Sequence, residues 1–410
     1  MQSQILATKA ETTDAVNRPC PICECAQRHH LSEHTFVLPE GHPLESGYAV
    51  VICDSCGFAY ADTVANQAAH DRFYAHLSKY EDQVTSTGGG YTTWDEQRLR
   101  DAALVISRSI PTTARILDIG CANGGLLVEL RRLGHKEVFG MDPSALCVRH
   151  TIAKEIRAWV GSLSAIASGM GAFDCVILSH VLEHVHDLAG ALKSVGSLLE
   201  PDGIVYAEVP DASRYHDFLY SPFQDFNTEH INHFSPLCLS NLFQVHGFRQ
   251  KNGGIKDIAS SEDSLTPALY GVFEKADMSD PKLQRDEALH EALTVYVERS
   301  RAMLTRIDRR LRQQLHEQQP VIVWGTGQLT MKLLSDTVLK DQPITAFVDK
   351  NPVNHGRILR RIAIVSPEEI ARQNSEAPIV VASLLHGKSI ERDIRGQYGL
   401  RNPLVSLSLQ

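Results

Sequence analysis

The sequence lacks any apolar run approaching the roughly 18 residues needed to cross a bilayer, so no membrane association is expected. Its first nineteen residues are polar, with acidic positions and no apolar core ahead of a small-residue cleavage site, so no secretory leader is expected either. The basic excess that phosphate-backbone binding requires is also missing. Lys and Arg number 40 against 49 Asp and Glu, a formal charge of −9, so nucleic acid is not the expected partner. Nor is this the composition of a disordered chain, since 43% of residues are hydrophobic and 22% charged, enough to fill real cores. At 410 residues, two or three domains in a soluble, cytoplasmic protein are expected.

Cysteine is present but unevenly spread. Five of the nine lie in the first 56 residues, and four of these form the pairs Cys20-Pro-Ile-Cys23 and Cys53-Asp-Ser-Cys56. A two-residue gap lets both thiolates of a knuckle face one ion, and two knuckles complete a tetrahedral Zn²⁺ site with no position left for water. In a reducing cytosol that spacing argues against disulfides, and a full coordination sphere argues for a structural metal. Cys25 is a possible competitor of Cys23. His29, His30, His34 and His42 read as solvent-facing or locally packed. Cys121, Cys147, Cys175 and Cys238 read as buried thiols, mostly inert.

From Trp94 the pattern becomes that of alternating strands and helices. Leu99, Ala102, Ala103 and Ile106 share a helical face, Pro111 ends that helix, and Ile116–Ile119 reads as a buried strand. The stretch ILDIGCANGG then turns through glycines into a helix from about Leu126 to Leu133. A strand ending at Met141, the acid Asp142 and a helix from Ser144 complete a βαβ unit with a parallel sheet. Glycines at such a turn let backbone approach a ligand, and an acid after the second strand suits ribose hydroxyls.

The D-x-G-x-x-x-G spacing of Asp118, Gly120 and Gly124, followed by Asp142, resembles motif I of the class I S-adenosylmethionine-dependent methyltransferases. The segments FDCVILSHVLEHVHD, with a strand at Phe173–Ser179, and LLEPDGIVYAEVPD fit the same resemblance, which covers about residues 95–250. It implies a Rossmann-like core binding S-adenosyl-L-methionine through Asp118, Gly120, Asn123, Gly124, Asp142 and Ser179. Glu183 and His184 read as a cap or core contact at a helix start.

The stretch FNTEHINHFS, residues 226–235, packs Glu229, His230 and His233 between Phe226 and Phe234. On helical or turn spacing the two histidines share a side, and Glu229 can orient an imidazole. A histidine beside a carboxylate is a candidate general base. In this order (two cysteine knuckles, methyltransferase core, an E-H segment, a further α/β unit) the chain resembles the zinc-containing sugar C-methyltransferases, whose segment reads close to Y-H-E-H-x-x-Y-F-S. Glu229-His230 and Phe234-Ser235 match it, whereas Asn227, Thr228 and His233 stand at its Tyr, His and second Tyr. The resemblance makes His230 the base that removes a proton beside a ketone. His233, Tyr74, Tyr80 and Tyr91 are the candidates to replace the absent tyrosine.

Residues 282–318 contain neither proline nor glycine and read as one long helix or two close ones, with a solvated arginine face. VIVWGTGQLTMKLL, ITAFVDKNP and PIVVAS then give a second Rossmann-like unit with a Gly325-x-Gly327 turn, which by the resemblance helps to hold a nucleotide sugar. The expected organisation is therefore α/β throughout: a zinc-binding domain over 1–90, a methyltransferase core over 91–255, and a C-terminal Rossmann-like α/β domain over 256–410. The expected activity is C-methylation of a nucleotide-linked keto-deoxysugar, the small-molecule partner, in natural-product or surface-polysaccharide biosynthesis. O- or N-methylation of a glycosyl or small metabolite, and a non-catalytic scaffold, are the alternatives.

Overall fold

Short apolar runs separated by glycine turns become strands in the computed structural model, which describes residues 16–407 apart from 78, 84–86, 168, 262–263, 278–280 and 374. In chain order the first elements are β1 (Arg28–Thr35), β2 (Gly47–Cys53), β3 (Ala59–Asp62), α1 (Gln67–His76) and α2 (Thr93–Ser107). The central unit follows with β4 (Ile116–Ile119), α3 (Gly125–Arg132), β5 (Val138–Asp142), α4 (Ala145–Ala153), β6 (Arg157–Val160), β7 (Phe173–Ser179), α5 (Leu188–Leu198) and β8 (Leu199–Pro210). Then come β9 (Asn232–His233), α6 (Pro236–Val245), β10 (Phe248–Ser261), β11 (Ser264–Lys275) and α7 (Glu287–Gln314). The last unit comprises β12 (Val321–Trp324), α8 (Gln328–Asp336), β13 (Ile344–Val348), β14 (Ile358–Leu359), β15 (Ile362–Val365), α9 (Pro367–Ala371), β16 (Ile379–Val381), α10 (Gly387–Gly396) and β17 (Leu404–Ser406).

Among the described residues these strands form three sheets. The central sheet runs β10-β11-β8-β7-β4-β5-β6. Its five parallel strands have the order 3-2-1-4-5 when counted along the chain from β4, and the hairpin β10–β11 adds antiparallel strands beside β8. The C-terminal sheet repeats the parallel order 3-2-1-4-5 in β15-β13-β12-β16-β17, with β14 antiparallel at one edge. In each sheet the chain reverses direction between its first and fourth parallel strands, and ligands bind in the crevice at that point.

Local chemistry accounts for the central elements. Thr92 caps α2 by accepting from the Asp95 N–H, and Leu99, Ala102, Ala103 and Ile106 turn inward together as their spacing predicts. All of β4 is buried, as a parallel strand covered on both faces must be. The four-stranded N-terminal sheet, β1-β2-β3-β9, is not made only from the start of the chain. Its edge strand β9 comes from the connection between β8 and β10 of the central sheet and pairs Ala59 with His233 and Tyr60 with Asn232.

Two expected boundaries therefore shift. The division between residues 255 and 256 falls inside β10, because the core sheet continues to Lys275. The 1–90 unit is completed by residues 232–233, and its residues 1–15 lie outside the described ones. The long helix is a single one, α7. Its Asp286 cap receives the Ala288 and Leu289 N–H groups and gives its own N–H to the Cys56 carbonyl at 3.0 Å.

Candidate active site

The two sheet reversals face one shared cavity of about 710 Å³. Asp118, Gly120 and Asp142 from the central unit line it, as do Ser179 at the end of β7 and His180 just after it. The C-terminal unit contributes Gly325–Gln328 from its glycine turn and 382–385 from beyond β16. The segment holding Glu229 and His230 lies on the same wall, with Tyr74 and Tyr80. Tyr91 instead lines a separate outer groove, its ring under the Lys154 ammonium.

At the glycine turn, Gly120 has φ 79°, and a Cβ there would stand 2.8 Å from the Val181 side chain. Gly124 caps α3 at φ 74°, with a Cβ position 2.9 Å from Thr151. Both glycines are demanded by backbone shape and close approach. Asp142 accepts from the Ala122 N–H through Oδ2 and from the Ser144 N–H through Oδ1, each at 2.9 Å. Burial raises its pKa to about 6 although both N–H groups pull it down. Asp118 is raised well above the usual carboxylate range by burial and then by the Asp142 charge.

Asn123 and Gly124 do not line the cavity. The Asn123 side chain donates to the Tyr80 carbonyl at 2.9 Å and meets His150 at 2.8 Å, so it braces the turn from behind.

The segment 226–235 separates its two histidines. His230 faces the cavity, and its ring stands edge-on to His184 with centroids 4.8 Å apart. Glu183, His184 and His230 each offer an acid or ring atom within 4.8 Å of the others, so a buried carboxylate sits beside both imidazoles. The Glu229 carbonyl holds His184 Nδ1 at 3.0 Å, which fixes the hydrogen on Nδ1 because a carbonyl can only accept. His233 lies off the cavity. It is fully buried against Phe226 at 4.6 Å, neither ring nitrogen has a hydrogen-bond partner among the described residues, and burial lowers its pKa to about 3. Residues 232–233 are extended, and in a strand neighbours three apart face opposite sides. The shared face expected of His230 and His233 is therefore absent.

Three participants are missing from the sequence reading. His180, at φ 56°, places its two ring nitrogens 3.3 Å from Glu183 and 3.3 Å from Glu208. Glu208 in turn pairs with Lys256 and accepts from the Tyr206 hydroxyl. From the C-terminal unit, Gln328 reaches Glu229 Oε1 at 3.1 Å and Thr228 Oγ1 at 2.8 Å. A side chain with positive φ at the end of β7 was the one local clue, and it is visible only in the fold.

Cys20, Cys23, Cys53 and Cys56 bring their sulfurs within 4.8 Å of one another, with Cys20–Cys56 at 3.6 Å and Cys23–Cys53 at 3.4 Å. Four thiols converging from two knuckle turns are a donor set that suits Zn²⁺. Cys25 turns aside to Gln27. His29 and His30 are exposed, while His34 is buried against Phe223 and Phe226.

The strand order, the glycine turn and the acid that ends β5 define an α/β nucleotide-cofactor fold, and residues 91–250 match the family model described as "Methyltransferase domain". They form a methyltransferase domain of the class I S-adenosylmethionine-dependent kind. The chain is similar to the ubiquinone biosynthesis O-methyltransferase of Methylocella silvestris, 35% identical over 99 residues, which is 23% of this chain and 38% of that protein. It is also similar to the C-methyltransferase NovU of Streptomyces niveus, 26% identical over 270 residues, 61% of this chain and 62% of NovU. The chain thus spans less than two thirds of the length of either relative. A solved structure, the 1,6-didemethyltoxoflavin-N1-methyltransferase of Burkholderia thailandensis, superposes with a TM-score of 0.39 at 19% identity, covering 56% of this chain and 96% of that one. Among the described residues, no helix is long and apolar enough to cross a membrane.

The His180 network makes stability depend on pH. Burial alone would lower the imidazole, but the bonds to Glu183 and Glu208 outweigh it and raise the pKa from 6.5 to about 9. The group's contribution is therefore complete below pH 6.5 and lost as pH rises through about 9. Denaturant unfolding should show this loss, at most about 3 kcal/mol. Glu208→Gln should flatten most of it, and an unchanged slope in that variant would argue against the network.

Proposed function

We propose that the protein is an S-adenosylmethionine-dependent C-methyltransferase whose substrate is a nucleotide-linked keto-deoxysugar. The observation that carries this reading is one cavity lined both by the glycine turn and Asp142 of the methyltransferase domain and by the glycine turn of the C-terminal unit, with His230 also on its lining. A substrate with a sugar at one end and a nucleotide at the other has the length and polarity to span such a cavity. The similarity to NovU, named a C-methyltransferase, covers a stretch longer than the methyltransferase domain and supports the same reading.

S-adenosylmethionine, when bound, supplies an electrophilic methyl group. Asp142 would accept hydrogen bonds from its ribose hydroxyls, and the Gly120 turn would let it approach the backbone. His230 would take the proton from the carbon beside the substrate ketone. The Glu183 carboxylate next to it would stabilise the imidazolium so formed. Tyr74 stands beside Glu229, and burial and then that charge push its phenol well above its usual range. It would thus remain a hydroxyl able to donate to the substrate, the part left open by Asn227. The four cysteines would hold one structural Zn²⁺, contributing stability and no chemistry.

Each of these roles has its own measurement. Metal analysis of the full-length protein should find about one zinc per chain, lost in Cys53→Ser together with thermal stability. A metal-free protein of undiminished stability would exclude the structural role.

Asp142→Asn preserves size and the acceptor for Ser144 but sets an NH2 against the Ala122 N–H, so with the fold verified by circular dichroism the cofactor affinity should fall about ten- to a hundredfold by calorimetry. Binding wants the ionised carboxylate, so wild-type affinity should drop as pH falls through about 6. The Asn variant should lose that dependence, and equal affinities would count against the assignment.

His230→Ala should lower turnover roughly 10²- to 10⁴-fold with cofactor affinity near wild type. His233→Ala is the comparison: it should act on stability rather than on the chemical step. Near-normal turnover for His230→Ala would refute the base assignment.

A further inference from the structure

The glycine turn of the C-terminal unit is a rigid piece. Thr326 gives both its N–H, at 2.9 Å, and its hydroxyl to Asp349, and Thr330 Oγ1 returns to the Gly325 carbonyl at 2.6 Å. Gln328 begins α8 immediately after that turn. Its side chain crosses to residues a hundred positions earlier: Nε2 donates to Thr228 Oγ1 at 2.8 Å and to Glu229 Oε1 at 3.1 Å, and Oε1 accepts from the Thr228 N–H at 3.3 Å. The orientation of the amide is forced. A backbone N–H can only donate and an ionised carboxylate can only accept, so each end of Gln328 has one possible role. Both Nε2 hydrogens are thereby used on the two residues that precede His230.

We propose that Gln328 is a positioning residue, coupling what is seated on the C-terminal glycine turn to the placement of Glu229 and His230. The proposal rests on the reading of His230 as proton acceptor. Displacement of the turn carries Gln328 with it. Gln328 carries Glu229, whose carbonyl in turn holds the His184 ring packed on His230. The arrangement makes the placement of the base segment depend on the position of the C-terminal turn. A catalytic histidine displaced by an ångström loses much of its rate. A substrate fragment lacking the end that reaches the C-terminal turn should accordingly lose turnover as well as affinity.

The test uses the full-length zinc-loaded protein, with a nucleoside-diphosphate 4-keto-6-deoxyhexose as probe and S-adenosylhomocysteine release as readout. Gln328→Ala should lower kcat about ten- to a hundredfold, the range for losing a hydrogen bond to a charged group. KM and cofactor affinity should stay within about threefold, the split of an interaction expressed in the chemical step rather than in binding. Gln328→Glu sets a second carboxylate against Glu229. The surrounding groups that could answer it are Tyr74 and His70 from α1, His42 from the β1–β2 loop, and His184. Two adjoining carboxylates relax by sharing a proton, so this variant should recover activity as the buffer is made more acid, beyond any recovery of Gln328→Ala. Unchanged kcat in both variants overturns the proposal, as does an equal loss with no pH difference between them. His230→Ala run in parallel separates the two claims: full activity there refutes the base, whereas an inactive His230→Ala beside normal Gln328 variants refutes only the coupling. If wild-type protein does not turn over the probe, the sugar reading falls and histidine-selective ¹⁵N NMR decides the coupling. His230 signals, assigned with His230→Ala, should then move in both Gln328 variants, and unmoved signals overturn it.

Discussion

His230 is held where it is because the backbone on either side of it is fastened to different parts of the molecule. Next to it, the Ile231 N–H donates to the Glu183 carbonyl at 2.8 Å, while its own carbonyl takes the Ala61 N–H at 2.9 Å. One residue further, Asn232 Nδ2 donates to the Leu182 and Val185 carbonyls at 2.8 and 2.7 Å. On the other side, Asn227 Oδ1 accepts from the Glu229 and His230 N–H groups at 2.8 and 3.0 Å. A buried backbone that satisfies its polar groups this fully has little freedom to shift. The N-terminal sheet thus serves the site without lining much of it, since β3 supplies the edge to which the strand after His230 is zipped.

The same dependence explains why the knuckles matter beyond themselves. Buried Arg18 sits just before Cys20 and donates to the His186 carbonyl at 2.6 Å, with longer bonds to the Val185 and Ile231 carbonyls. Four thiols drawn together by a metal would fix the start of this strap. The polar turn after β7 and the base segment are then clamped from the N-terminal side.

The fold was legible because its signals are local. Apolar runs of strand length, the glycines after β4, the acid ending β5 and the helical face of Leu99, Ala102, Ala103 and Ile106 each report on a few neighbouring residues. The Cys-x-x-Cys pairs were legible for the same reason. The errors lie where local spacing was read in the wrong conformation. His230 and His233 share a side on a helix, but the chain there is extended, so the second histidine enters the core. Asn123 sits in the right motif, yet its amide is used to brace the turn against Tyr80 and His150. The boundary at 255 failed because the β10–β11 hairpin has no glycine turn or periodicity strong enough to mark it as part of the earlier sheet. The contacts of His180 with Glu208 and of Gln328 with Glu229 span 28 and 99 residues. No spacing rule connects such positions, since only the packed units bring them together.

The single helix α7 touches all three units. Its cap rests on the Cys56 knuckle, the Tyr296 hydroxyl accepts from the Asp225 N–H beside the cavity at 2.9 Å, and Ile307 and Leu311 enter the core of the C-terminal sheet. Twenty-eight residues make a rod about 42 Å long, so α7 acts as a ruler that sets both the distance and the rotation between the knuckles and the second glycine turn. Each added residue would advance the rod by about 1.5 Å and swing everything beyond it by about 100°. Loops on the surface of this molecule can drift in length one residue at a time, but between Tyr296 and Ile307 only changes of whole helical turns keep the two halves of the cavity facing each other.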